Sequence, residues 1–348
     1  MLNRLLLFIV VVLPLCVRTQ TIDNLVFEGA GIRGIAYCGA LMELEEQGYL
    51  SSVQRVAGTS SGAITASLLS VGYTPQEIYD IIGETNFGKF NDGGGLFIGG
   101  IHRLKKKLGY YKGRKFLDWL EKLIEAKTGN KNFTFADLEQ KVTANRFNNP
   151  FKHLVISATS LNHQEALFFS YYTYPQMRIV DAVRASMAVP YYFEPLIIDS
   201  LGKSVSFKEM KPSDHICVDG GFVTNFPIYI FDYAPYCTGV ETPIAGTRNC
   251  SGSTFGLRID NQDQIDADQN GHRELVDVPI ADIKDYSIAF YYLVKESMNR
   301  YMLTEDDWLR TISISDCAIG PKVKKLSIAE KQLLIDAGRK AVREKLAS

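Results

Sequence analysis

The sequence predicts an α/β protein with a mainly parallel central sheet. Three observations predict it. Short apolar runs alternate along the chain with segments of helical periodicity. One run, Val53 to Ala57, passes through Gly58-Thr59-Ser60-Ser61-Gly62 into a helical pattern, Ala63 to Ser70. Another, Leu25 to Phe27, passes through Gly29-Ala30-Gly31-Ile32-Arg33-Gly34 into a second helical pattern, Gly34 to Gln47. Strand, glycine turn and helix in succession is how a parallel sheet is wound, because parallel neighbours need a crossover.

The elements follow in order. The first helix carries Ala36, Ala40, Leu41 and Leu44 at helical spacing and stops at Gly48. After the Ala63 helix, Phe87 to Gly100 is glycine-rich and reads as a loop. His102 to Lys115 is basic, and Phe116 to Ala126 is amphipathic, with Phe116, Leu120, Leu123 and Ile124 on one face. Thr134 and Asp137 mark a helix N-terminus. Leu154 to Ala158 reads as a buried strand, and Ile179 to Ala188 as a helix stopped by Pro190. A strand from His215 to Val218 ends at Asp219-Gly220-Gly221. Then come a strand, Thr254 to Ile259, a polar turn-like stretch, Asp260 to Gly271, a long helix from about Ile280 to Tyr301 and a strand, Thr311 to Ser315. Ser327 and Glu330 form a capping box before the last helix.

Composition bounds the function. Of 348 residues, 46% are hydrophobic and 22% charged, as in an ordinary globular chain. A formal net charge of -1 gives no electrostatic reason to expect a nucleic-acid partner. Arg4 followed by the apolar run Leu5 to Cys16 is too short to span a bilayer comfortably and fits a secretory signal. Residues 1–19 therefore read as a signal peptide or a membrane-proximal anchor, and the protein is expected to be exported or membrane-associated. The six cysteines include no C-x-x-C pair, which argues against a zinc or redox motif. Cys237 and Cys250 bracket a turn-rich stretch and could pair in an exported protein; the alternative is scattered thiols.

Two short motifs carry the chemistry. Gly58 to Gly62 has the G-x-S-x-G spacing of a nucleophile elbow, whose register selects Ser60 over Ser61 and lifts its hydroxyl above the sheet. Asp219-Gly220-Gly221 puts a carboxylate on a tight turn after a strand. The glycine loop from Gly29 to Gly34 satisfies G-x-G-x-x-G, which alone fits a dinucleotide site, a structural turn or an oxyanion pocket. The acidic residue of a dinucleotide site, expected about 20 positions further on, is missing. A Ser–Asp–His triad in that chain order has one available histidine, His272. Without it, what would take the Ser60 proton is the open chemical question. An aspartate with a pKa of about 3.9 is a poor base for that work, and burial would improve it.

Weaker signals remain. Asp266 to Gly271, with Asp277, has the oxygen spacing that opens a calcium loop, against the default of an acidic surface loop. The basic stretch from His102 to Lys115 could rest on an anionic bilayer or be a solvated face. Phe168, Phe169, Tyr171, Tyr172 and Tyr174 could line an acyl pocket, though core packing suits most of them.

With the glycine loop, the elbow and D-G-G in this order, the chain resembles the patatin-like phospholipases. Two further blocks carry the resemblance: Ala185-Ser186-Met187-Ala188-Val189-Pro190 ending in Phe193-Glu194-Pro195, and Asn225-Phe226-Pro227 after the glycine pair. Ala30 stands where the family has the middle of three glycines. The resemblance covers about residues 24–227, with 228–348 as a C-terminal extension of one domain from residue 20. It implies a three-layer α/β/α fold and a serine lipid acyl hydrolase of phospholipase A type. Ser60 would be the nucleophile and Asp219 its base. Gly29, Ala30, Gly31, Ile32, Arg33 and Gly34 would form the oxyanion loop, with Arg33 orienting it or an anionic head group. Gly58, Gly62, Gly220 and Gly221 would support the motifs. The substrate would be a phospholipid or other acyl lipid at a membrane surface, with no metal or organic cofactor. The alternative is a non-catalytic lipid-binding or scaffolding member of the same fold.

Overall fold

The computed structural model describes residues 21–93, 96–144, 149–233, 235–237, 253–320 and 325–347; the N-terminal apolar segment and Cys250 lie outside them. The strands are β1 (Asn24–Phe27), β2 (Arg55–Gly58), β3 (Gly109–Tyr111), β4 (His153–Ser160), β5 (Glu165–Phe169), β6 (Tyr191–Phe193), β7 (Leu196–Ile198), β8 (His215–Asp219), β9 (Thr254–Asp260) and β10 (Thr311–Ser315). The helices are α1 (Ala36–Glu46), α2 (Ser61–Ser70), α3 (Pro75–Glu84), α4 (Leu96–Lys107), α5 (Arg114–Thr128), α6 (Phe135–Ala144), α7 (Ile179–Ser186), α8 (Gln262–Gln269), α9 (Ile283–Tyr301), α10 (Glu305–Leu309) and α11 (Ile328–Ala347).

The central sheet runs β10-β9-β1-β2-β4-β8-β7, with β5 also on β4. From β10 to β4 every pairing is parallel, while β8 and β5 run against β4. Both faces are covered. Leu25, Phe27, Val56, Leu154 and Ile156 pack into the larger core, and the alternate residues Val26, Ala57 and Val155 meet Phe226, Ile228 and Phe231 behind the sheet. A strand buried on both faces reads as an unbroken apolar run, which is why Leu25 to Phe27 shows no alternation. On the larger-core side α1 and α11 cross closely at Gly39 and Gly338. A Cβ on either would collide with a backbone carbonyl, at Ile335 and Ala36 respectively.

Opposed strand directions position the site. Parallel β2 delivers the elbow just beyond its Gly58–Ile156 pairing, while antiparallel β8 brings Asp219 opposite Ala158. Two chain segments travelling in opposite directions thus end at one level of the sheet.

Two expectations need correction. Phe87 to Gly100 is not a loop throughout: Phe87–Phe90 is a 3-10 turn and α4 begins at Leu96. Gly100 sits inside that helix because the Tyr110 ring occupies the space of a Cβ, a packing demand rather than a turn. Asp260 to Gly271 is likewise helical over α8. Asn261 caps it, its Oδ1 accepting from Gln264 N at 2.8 Å. The calcium-like spacing therefore lies on a helix and its C-terminal turn, not on a surface loop. Asp268 is buried against the Arg300 guanidinium.

Candidate active site

Ser60 sits between β2 and α2 with φ 51° and ψ −118°, a conformation L residues rarely adopt. It is held there from several sides. Its N–H donates to Ser186 Oγ at 2.8 Å, from the end of α7. Gly58 and Gly62 touch, so a Cβ at Gly58 would meet the Gly62 backbone. A Cβ at Gly62 would meet the carbonyls of Phe27 and Glu28. Gly-X-X-X-Gly spacing here lets the turn close against β1.

The Ser60 hydroxyl donates to Asp219 Oδ2 at 2.8 Å, and Gly221 N–H donates to Asp219 Oδ1, also at 2.8 Å. Asp219 N–H is itself tied to Ala188 O at 3.0 Å. Asp219 is buried. That burial raises its pKa to about 6, against the opposing pull of the Gly221 N–H, the Ser60 hydroxyl and the Lys295 ammonium. Beneath the pair Thr59 and Ser157 share a hydroxyl–hydroxyl hydrogen bond and both reach Thr224 O. Gly220 lies on Ser157 so closely that a Cβ would overlap it.

The glycine loop faces this pair and divides into two kinds of amide. Gly29 N–H donates to Asn225 O at 3.2 Å and Ala30 N–H to Ser61 Oγ at 2.9 Å, so both brace the loop. Gly31 and Ile32 open the 3-10 turn Gly31–Ile35, and the first amides of a helical turn have no acceptor inside it. These two line the cavity beside Ser60. Gly31 takes the left-handed φ of 58°, while Ala30 has φ −127°, which an alanine adopts without strain. Ala30→Gly is therefore expected to preserve activity and lower stability by up to about 1 kcal/mol through added chain entropy. Thermal melts and ester assays check both. Arg33 turns inward: Nε donates to Ala30 O at 3.2 Å and Nη1 pairs with Asp316 at 3.2 Å, so the guanidinium fastens the loop to the chain after β10. Gly34 lies on Ser61.

The cavity has a volume of about 680 Å³. Ser60, Asp219 and the loop form its polar end, and Ile64, Ile82, Phe90, Met187, Val189 and Phe193 form apolar walls. Phe168, Phe169, Tyr171, Tyr172 and Tyr174 do not line it; Phe169 is core, and Tyr171 and Tyr172 border a small separate pocket. Among the described residues no histidine lines the cavity. His272 is exposed after α8, and the other histidines sit elsewhere, with His153 on Glu139 and His163 edge-on to His215. Cys237 is disulfide-bonded, whereas Cys38, Cys217 and Cys317 carry free thiols.

Sequence reasoning missed three contributors. Lys295 on α9 is buried at the cavity wall, with Nζ 3.4 Å from Gly29 O and 3.2 Å from Glu296 Oε1. Asn225 joins the motifs, its Nδ2 donating to Glu28 Oε1 at 3.0 Å and Gly29 O at 3.1 Å. Ser186 holds the elbow. Asn225 and Ser186 lay inside recognised blocks without an assigned part, and Lys295 had no local signal at all.

A mostly parallel α/β sheet with helices on both sides, a serine–carboxylate pair at the sheet's rim and an apolar cavity above it define a class of lipid-handling ester hydrolases. The chain belongs to the patatin-like phospholipase family, whose model matches residues 25–232. It is 25% identical over 336 residues to uncharacterized protein R571 of Acanthamoeba polyphaga mimivirus, covering 96% of each chain. It is 27% identical over 213 residues to the probable lipid hydrolase 463L of Invertebrate iridescent virus 6, covering 60% of this chain and 62% of that one. The fold is shared with the crystal structure of VipD from Legionella pneumophila, with TM-score 0.54, 18% identity, and coverage of 94% of this chain and 67% of that one.

Proposed function

We propose that the chain is a serine lipid acyl hydrolase of phospholipase A type, cleaving carboxylic esters of membrane phospholipids or related acyl lipids through Ser60 and Asp219. One observation carries the reading: the 2.8 Å contact of Ser60 Oγ with a buried carboxylate, at the polar end of a long apolar cavity. The probable lipid hydrolase among the relatives supports it.

On this reading the geometry supports a route through an acyl-enzyme. Ser60 Oγ attacks the ester carbonyl carbon as its proton passes to Asp219 Oδ2. The carbonyl oxygen becomes an oxyanion and receives the amides of Gly31 and Ile32, donors fixed before the charge appears. As the intermediate collapses, the C–O bond to the leaving alcohol breaks and Asp219 returns the proton to that oxygen. Water then attacks the acyl-enzyme, giving its proton to Asp219, and the fatty acid leaves as the proton returns to Ser60. The apolar walls hold the acyl chain.

Fatty-acid release from phosphatidylcholine by the wild-type protein tests the reading; a folded protein releasing none from any phospholipid would overturn it. Lys295→Met is expected to move the acidic limb of the kcat/KM profile to higher pH, because the ammonium that opposes the rise in the Asp219 pKa is gone. A limb at the wild-type position would leave Lys295 with a structural part alone. We extend the reading to an exported or membrane-associated protein, as the N-terminal segment suggests; a disulfide at Cys237 fits an oxidising compartment.

A further inference from the structure

The two faces of α9 differ sharply. Lys295, Glu296, Asn299 and Arg300 are buried on one. Arg258, stacked over Trp308, pairs with Glu296 at 2.7 Å, and Asn299 Nδ2 donates to Gly221 O at 3.1 Å beside Asp219. This face is anchored to the site. The opposite face carries Tyr286, Phe290, Leu293, Val294, Met298 and Tyr301, which fall on one side of the helix by i+3 and i+4 steps and are all exposed, Phe290 at 61% and Tyr301 at 90%. Among the described residues no charged side chain interrupts this stripe, and Ser297 is the exposed position between Val294 and Met298.

We propose that this stripe is the surface by which the protein docks on a lipid bilayer, presenting the cavity mouth to the membrane. The inference rests on the acyl-hydrolase reading above. Three observations name the occupant. Ile283, where the stripe begins, is 78% exposed and also lines the cavity, so the apolar surface outside runs into the apolar wall inside. A long-chain lipid crossing water to reach Ser60 would expose every methylene, whereas one rising from a docked bilayer would not. The stripe mixes aliphatic side chains with Tyr and Phe, which suit the boundary between head groups and acyl chains. Because the stripe is uncharged, docking needs no anionic lipid.

The test uses the full chain and phosphatidylcholine vesicles. Wild type is expected to sediment with them, and to do so still at about 0.5 M salt, where charge-driven binding is screened. Phe290→Glu with Val294→Glu, both on the exposed face, is expected to lower the vesicle-bound fraction about ten-fold or more. Hydrolysis of vesicle lipid falls with it, while hydrolysis of a water-soluble p-nitrophenyl ester stays at the wild-type rate. Tyr301→Glu alone, at the most exposed position, gives the same direction. Wild-type vesicle binding by the double variant overturns the proposal. So does binding lost in salt, or a wild-type dimer in light scattering that the double variant converts to a monomer without changing vesicle binding. Vesicle binding by a wild type that cleaves no ester would sustain the docking surface and overturn the enzyme reading instead.

Discussion

Ser60→Ala is expected to lower ester turnover by about ten-thousand-fold or more and to abolish labelling by a fluorophosphonate, with the fold intact. The size follows from the proposed mechanism, in which Ser60 Oγ forms the covalent bond and the loop amides alone cannot replace it. The fold survives because the Ser60 side chain makes no capping hydrogen bond to α2 and its backbone is held by Ser186. Alanine accepts the same backbone angles no worse than serine. His272→Ala, exposed and remote from the cavity, is expected to label as wild type. Labelling that persists in folded Ser60→Ala would move the nucleophile elsewhere, with Ser61 the first to examine.

Asp219→Asn is expected to be nearly as damaging and to carry a signature in pH. The carboxylate must be ionised to take a proton, so wild-type kcat/KM should fall as pH drops through about 6. The variant keeps an oxygen for Gly221 N–H but has no base, so its residual rate should lack that limb. Stability moves the other way. The Asp219 pKa is about 6 in the folded protein and near 3.8 otherwise. Its contribution to folding is thus fully present below the unfolded value and lost as pH rises through the folded one. Asparagine has no such loss. The stability of Asp219→Asn relative to wild type should therefore rise between about pH 4 and pH 6, by at most about 3 kcal/mol. Denaturant melts at the two ends of that window check it. A difference independent of pH would mean that Asp219 titrates normally in the fold, and the direct-base reading would fail with it.

Much of this architecture was legible because the decisive features are local. The elbow needs glycines at fixed offsets from one serine, and the strand Thr311 to Ser315 shows its β-branched pattern within five residues. Ser60 and Asp219 were readable for the same reason. What escaped depends on distant partners. Lys295 reaches Gly29 across 266 positions, and no pattern around it announces a buried ammonium. The polar helix α8 has little apolar periodicity to find; a cap at Asn261 and the Asp268–Arg300 pair hold it. Gly100 looked like a loop residue because sequence does not show the Tyr110 ring that excludes a side chain there. The loop amides could be named as a group, but which of them brace and which stay open became clear only once Asn225 and Ser61 were in place.

The meeting of β2 and β8 from opposite directions has a consequence for biosynthesis. Ser60 and Asp219 are 159 positions apart. A nascent chain that has emerged only as far as β7 already contains the serine but not the carboxylate it contacts. Contacts at such separation also form late, since closing the intervening chain must precede any reward from the pairing. On the mechanism proposed above, a centre built this way stays inert until β8 locks in, so a fragment that ends short of Asp219 spares the membranes of the cell that makes it.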